Sequence, residues 1–244
     1  MRLYIVIILL GSCLVSCNRT PQKQALISDH TADSTSQVLP DSLKTQVLHE
    51  IRLSVKSGFF STEETFSNVK QLFPKDSLDS EWLRKQINRS YTQAFNSQTR
   101  WSAVTKFDKL AAAFDRLNAS HIIALHNLGA AGEVESLHLR DSLRKKGINT
   151  RGYCFYERKD VDSVIENKTL RISFGAFAGG GKEAVAIGKS IVSALKEQGF
   201  NAAWNHKAVT GITITDFTWH KRFGNGNCSY YRAVKILSGQ KVQR

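Results

Sequence analysis

His126-Asn127 directly follows the short apolar run Ile122-Ile123-Ala124-Leu125. That order places an imidazole at the C-terminal end of a strand, outside which open sheets collect their ligands. An imidazole titrates near neutrality, so His126 has the chemistry of a general acid or base. Tyr153-Cys154-Phe155-Tyr156 reads as a second strand, closed by the carboxylate of Glu157. The candidate ligand contacts are therefore His126, Asn127, Tyr153, Tyr156 and Glu157. His126 and Glu157 form the acid–base pair if the chain is an enzyme; core packing is the ordinary fate of strand aromatics. No serine stands in a nucleophile elbow, and no catalytic residue is assigned. His121, His126, His138 and Cys154 lack both the i, i+4 pairing and the tight Cys-x-x-Cys spacing of zinc ligands, so no metal or cofactor is expected. Ala178-Gly179-Gly180-Gly181-Lys182 opens a predicted helix. A phosphate loop needs Gly at 176 and Ser or Thr at 183; Ala176 and Glu183 make this a flexible turn before a helix.

A different chemistry is written at the N-terminus. Arg2 precedes the apolar run Tyr4 to Leu10, which continues to Val15. That is roughly 13 apolar or small residues, where a membrane-spanning helix needs about 20. Leu14-Val15-Ser16-Cys17 resembles the bacterial lipobox, in which a signal peptidase cuts before a diacylated cysteine. Residues 1–16 then form a signal peptide, and Cys17 becomes the first residue of the mature protein, its thiol carrying the lipid. Two or more acyl chains anchor stably where one is marginal. Asn18, not Asp, follows Cys17, and no acidic cluster comes next, so the expectation is an outer-membrane lipoprotein facing the periplasm. Residues 17–39 are polar and read as a flexible tether.

The elements that must position the candidate residues fall into two groups. Leu43, Val47, Ile51 and Val55 line a helix over 41–57; Ser61-Thr62-Glu63-Glu64 is a capping box that opens a second, stopped by Pro74. Leu83, Ile87, Tyr91 and Phe95 line a third helix over 79–98, and Phe107, Leu110, Phe114 and Leu117 a fourth. Residues 40–118 are thus a helical lobe. From residue 119 the pattern alternates: strands at 122–125, 153–156 and 170–174, helices at 131–146, 160–166 and 184–195, then short strands near 201–206, 211–217 and 228–237. The predicted class is α+β with α/β-like alternation: a mixed sheet with packed helices, preceded by the lobe, with 40–244 one folded unit.

Several segments resemble an uncharacterised bacterial family, a domain of unknown function often found in cytoplasmic proteins of actinobacteria. They are Phe107-Asp108-Lys109-Leu110, Arg151-Gly152-Tyr153-Cys154-Phe155-Tyr156, Ser173-Phe174-Gly175-Ala176-Phe177, the Val185 to Leu195 helix with Trp204, and Thr213 to Arg222. The resemblance covers roughly residues 45–222 and implies domain limits, with no activity, cofactor or catalytic residue to carry over. Relatives tend to have a Cys-rich stretch where this chain has Leu128 to Gly132, and His where it has Glu157. Any metal held by those cysteines is an option this chain lacks.

The formal charge of +13 is uneven. Residues 200–244 hold Lys207, Lys221, Arg222, Arg232, Lys235, Lys241 and Arg244 against Asp216 alone. This C-terminal region reads as a solvated tail or as a face for anionic lipid or glycan. Nucleic acid is excluded as a partner because the signal directs the chain away from it. Cys154 and Cys228 remain as thiols after processing, and a disulfide between them requires Cα atoms within about 7 Å. The functional expectation is a lipid-anchored envelope lipoprotein acting as a non-enzymatic binding or accessory protein. The alternatives are an envelope enzyme using His126 and Glu157, and a toxin-immunity-type protein.

Overall fold

A computed structural model describes residues 39–75, 78–129 and 132–242. The segment expected to be a signal peptide, Cys17 and the expected tether up to residue 38 lie outside the described residues, as does Arg244. Four helices come first: α1 (Asp41–Ser57), α2 (Thr62–Leu72), α3 (Ser80–Gln98) and α4 (Lys106–Ala119). Alternation follows with β1 (Ile122–Leu128), α5 (Gly132–Arg144), β2 (Gly152–Glu157), α6 (Arg158–Asn167), β3 (Leu170–Ala176) and α7 (Gly180–Glu197). The chain closes with β4 (Ala202–Ala203), β5 (Ile212–Ile214), a 3-10 turn at Gly226–Cys228, and α8 (Tyr230–Leu237). The expected α+β class is what the fold has, with an open mixed sheet.

The capping boxes act as their spacing requires. The Ser61 hydroxyl accepts from the Glu64 backbone N–H at 3.2 Å, while the Glu64 carboxylate accepts from the Ser61 N–H at 2.7 Å. Thr105 and Asp108 repeat the arrangement at the start of α4. The strand expected over 228–237 is instead the helix α8. Ser229 caps it by accepting from the Arg232 N–H at 3.1 Å, and the buried pair Ala233 and Leu237 has helical i, i+4 spacing. The strands expected near 201–206 and 211–217 shrink to two and three residues.

The five strands are ordered β1-β2-β3-β5-β4; β1 and β2 run parallel and the other pairs antiparallel. Strand alternation divides the core. Ala124, Cys154, Tyr156, Leu170, Ile172, Ile212 and Ile214 share a cluster with Phe107, Phe114 and Leu117 of α4 and Ile187 and Ile191 of α7. Ile123, Leu125, Tyr153 and Phe155 point the other way, beneath Leu139 and Leu143 of α5 and Ala233 and Leu237 of α8. A third cluster joins Val47, Ile51 and Val55 of α1 to Val69 of α2 and Leu83 and Ile87 of α3. The helical lobe's own core is therefore built by α1–α3, while α4 packs on the sheet. Each fully buried Phe or Leu of α4 contributes about 1.5–3 kcal/mol of burial energy.

One side chain closes the free edge of β1. Asn118, buried at the end of α4, accepts from the Ala124 N–H at 2.8 Å and donates to the Ala124 carbonyl at 3.0 Å. Its amide does what a neighbouring strand would do, and so covers an edge that would otherwise invite pairing. Among the described residues, no helix is long and apolar enough to cross a membrane.

Candidate functional site

The structure separates the residues nominated from sequence. His126 and Tyr156 share one sheet face and meet, His126 Nδ1 lying 2.8 Å from the Tyr156 hydroxyl. Phe114 stacks on the imidazole at 4.5 Å between centroids, and Phe107 and Trp219 complete an aromatic shell around the pair. This enclosure, reinforced by the nearby Lys221 charge, pushes the His126 pKa down to about 3. Burial likewise raises the Tyr156 phenol well above its ordinary value. The pair is neutral through the physiological range and sits among core rings. A cavity of about 20 Å³ beside His126, beneath α8, is too small for an organic ligand.

Tyr153 is three residues from Tyr156 on the same strand, and so points to the opposite face. There it stacks on Phe155 at 6.0 Å and packs against Phe177 at 5.3 Å. Burial raises its pKa, and the adjacent Glu133 carboxylate adds to the rise. Asn127 has a left-handed backbone (φ 48°) where the β1–β2 register slips between Leu125 and Leu128. Its Oδ1 is buried with no partner among the described residues. The Glu157 carboxylate pairs with Lys159, and the Glu157 N–H donates to Asp160 at 2.8 Å as α6 begins. Cys154 is buried on β2 and Cys228 half-buried in the 3-10 turn; both are free thiols, with pKa values raised by burial. Among the described residues, no group of three His, Cys, Asp or Glu side chains converges as a metal site would.

The concave chemistry lies elsewhere, along the seam where the C-terminal segment crosses the lobe. Polar pairs tie α1 to α6: Arg52 to Glu166 at 3.1 Å, and Arg158 Nη2 to the Ser54 hydroxyl at 3.1 Å. Residues 217–223 then lie across the end of α1. Trp219 Nε1 donates to the Ser57 carbonyl at 3.0 Å and Lys221 Nζ to the Gly58 carbonyl at 2.7 Å. These carbonyls terminate α1, the negative end of its dipole, where a cation is favoured.

A cleft of about 590 Å³ opens beside this crossing. Its floor is apolar, from Val55, Val164, Ile165, Phe217 and Trp219, and α3 adds Ser90, Gln93 and Ser97 along one wall. Arg52, Lys56, Lys168, His220 and Lys221 supply its ionisable groups, and no carboxylate lines it among the described residues. Trp101 stacks on His220 at 4.3 Å, nearly parallel. Burial and the Arg222 charge lower the His220 pKa, so the positive charge at the cleft comes chiefly from Lys56, Lys168 and Arg52. On the other side of the crossing, a cleft of about 670 Å³ is bordered by Phe59, Phe60, Glu64, Tyr91 and Cys228, and Lys221 borders this one too.

Three of the C-terminal cations, Lys221, Arg222 and Arg232, are turned inward. Arg222 donates to Asp108 at 3.3 Å and to the Ser102 carbonyl at 2.6 Å. Arg232 holds Asp115 through two nitrogens, at 3.1 and 2.8 Å. These pairs staple the last segment onto α4. Sequence reading missed the seam because its cations come from three distant stretches. The one local signal was Trp219-His220-Lys221-Arg222-Phe223, where aromatics interleave with cations and so mark a half-buried strip rather than a tail.

Neither a curated protein nor a solved structure matches the chain. The family model for the domain of unknown function DUF6891 matches residues 40–223, which takes in α1–α7, the whole sheet and the crossing that forms both clefts. The protein therefore belongs to the DUF6891 family of domains of unknown function.

Proposed function

We propose that this protein is a lipid-anchored binding protein of the bacterial cell envelope, held by acyl chains on Cys17 and facing the periplasm from the outer membrane. Its folded part is a non-enzymatic module that takes a small anionic ligand in the seam cleft. The observation that carries the binding reading is the cleft itself: an apolar floor, the exposed cations Lys56 and Lys168 beside Arg52 and Lys221, and no lining carboxylate among the described residues. Low-dielectric walls strengthen the field of those charges on an anion that enters. The lipobox-like Leu14-Val15-Ser16-Cys17 supports the anchor.

Two measurements test the two halves. Cells given radioactive palmitate label the wild-type chain and not Cys17→Ala; label on the variant refutes the anchor. Benzoate, a small anion with an apolar body, raises the melting temperature of the detergent-extracted protein by about 3–6 °C at ten times its Kd. Absence of any shift with benzoate and with pyrophosphate refutes the anionic cleft.

A further inference from the structure

Lys221 and Phe223 line both clefts, and Lys221 is only 4 % exposed. Lysine is almost never buried without a counter-ion. Among the described residues, no carboxylate meets this one. Its Nζ donates to the Gly58 carbonyl at 2.7 Å and lies 3.4 Å from the Arg222 carbonyl. The Phe59 and Phe107 rings stand 4.7 and 5.6 Å away. The titratable groups facing it are His126 and Cys228.

We infer that Lys221 is a covalent capture residue, whose Nζ condenses with an aldehyde or ketone that carries an anionic group and enters through the seam cleft. This rests on the proposed reading of that cleft as an anion site and adds the class of ligand. The geometry supplies three requirements together: a lysine that lines the cleft, burial of that side chain, which disfavours its charged form, and Lys56 and Lys168 on the same cleft to attract the ligand's acid group. Burial lowers the amine's pKa, and the neighbouring Cys228 opposes this in part.

The step balances without a co-reactant. The ammonium loses one proton to solvent, and the free pair attacks the carbonyl carbon. The C–N bond forms as the C=O π pair moves to oxygen, giving a carbinolamine once a proton passes from nitrogen to oxygen. The C–O bond then breaks, the oxygen leaves as water with a second proton, and a C=N bond remains. Amine plus carbonyl gives imine plus water. In its protonated form the imine keeps an N–H to donate to Gly58, so the native hydrogen bond survives capture.

The test uses the detergent-extracted full chain, 4-formylbenzoate as probe, and cyanoborohydride to deliver hydride to the imine carbon and fix it as a secondary amine. Peptide mass mapping is expected to place the added group on Lys221 at least tenfold above any other lysine. The Lys221→Arg variant loses this selective label and keeps the surface background. Mapping of the wild-type chain is decisive even if that variant folds poorly. Label confined to surface lysines, with Lys221 unmodified, overturns the inference. If benzoate still stabilises the protein in that case, the anion cleft stands and capture alone falls. If neutral benzaldehyde labels Lys221 selectively and as fast as 4-formylbenzoate, capture stands and the anion reading falls.

Discussion

Lys221 and Gly58 hold each other in place through two separate constraints. The ammonium donates to the Gly58 carbonyl at 2.7 Å, and a Cβ added to Gly58 would lie 2.7 Å from the Lys221 carbonyl oxygen. Gly58 also has φ +72°, the left-handed conformation that ends α1 and turns its last carbonyls toward the lysine. Together with the hydrogen bond from Trp219 to the Ser57 carbonyl, these constraints fix the crossing that borders both clefts.

Gly58→Ala therefore meets a left-handed strain and a clash with backbone that cannot swing aside. The expected loss is about 2–4 kcal/mol, from roughly 1–2 for the conformation and the remainder for the overlap. Urea unfolding measures it, and a loss under 0.5 kcal/mol contradicts the geometry described.

Asn118→Leu removes the amide that covers Ala124. It leaves a buried N–H and a buried carbonyl on β1 without partners, at a cost of about 1–3 kcal/mol each. Thermal unfolding reads the loss, and hydrogen exchange at Ala124 accelerates in the variant. An unchanged exchange rate there means that the strand edge is protected by something else.

His126 sets a pH dependence with a definite sign. Its folded pKa is about 3, against 6.5 for the free side chain. Between those values the unfolded chain binds a proton that the folded chain refuses, so stability falls as pH drops below 6.5 and levels off above it. The slope from this residue is at most about 1.4 kcal/mol per pH unit. Carboxylates share the acid limb, so the comparison is between wild type and His126→Gln in urea at pH 4.5, 5.5, 6.5 and 7.5. The variant is expected to show the shallower slope, and parallel curves disprove the assignment.

Lys56 and Lys168 are exposed at the cleft, so replacing both with Gln leaves unfolding within about 0.5 kcal/mol of wild type. The same double variant is expected to lose most of the stabilisation by benzoate. Retention of the full benzoate shift places the anion elsewhere.

Asp115→Asn weakens the partner of a guanidinium whose side chain is only 12 % exposed. The expected cost is about 2 kcal/mol, between the values for surface and buried pairs. It is concentrated in α8, whose amides exchange faster while those of α1 do not. Uniform acceleration across the chain means that α8 does not open on its own.

Local patterns were decisive wherever the physics is local. The four-residue recurrence in α1, the capping box at Ser61, and the strand-to-helix alternation after residue 119 all depend on neighbours within a turn or a strand, and they are legible in the chain. Period-two alternation puts Tyr153 and Tyr156, nominated together for one site, on opposite faces of the sheet. The reading failed at Tyr230–Leu237, where the apolar residues suit either period and the Ser229 cap settles the helix.

The functional surface was decided at longer range. His126 carries the most suggestive chemistry in the sequence, but the rings of Phe107, Phe114 and Tyr156 pack around it and burial disfavours its charged form. Lys221 looked like part of a basic tail, yet it is buried against a carbonyl 163 positions earlier in the chain. Charge, helix and strand follow from residue types and spacing. Which cation is desolvated, and which imidazole is silenced, depends on what a distant segment brings alongside, because burial and contact are properties of the packed chain.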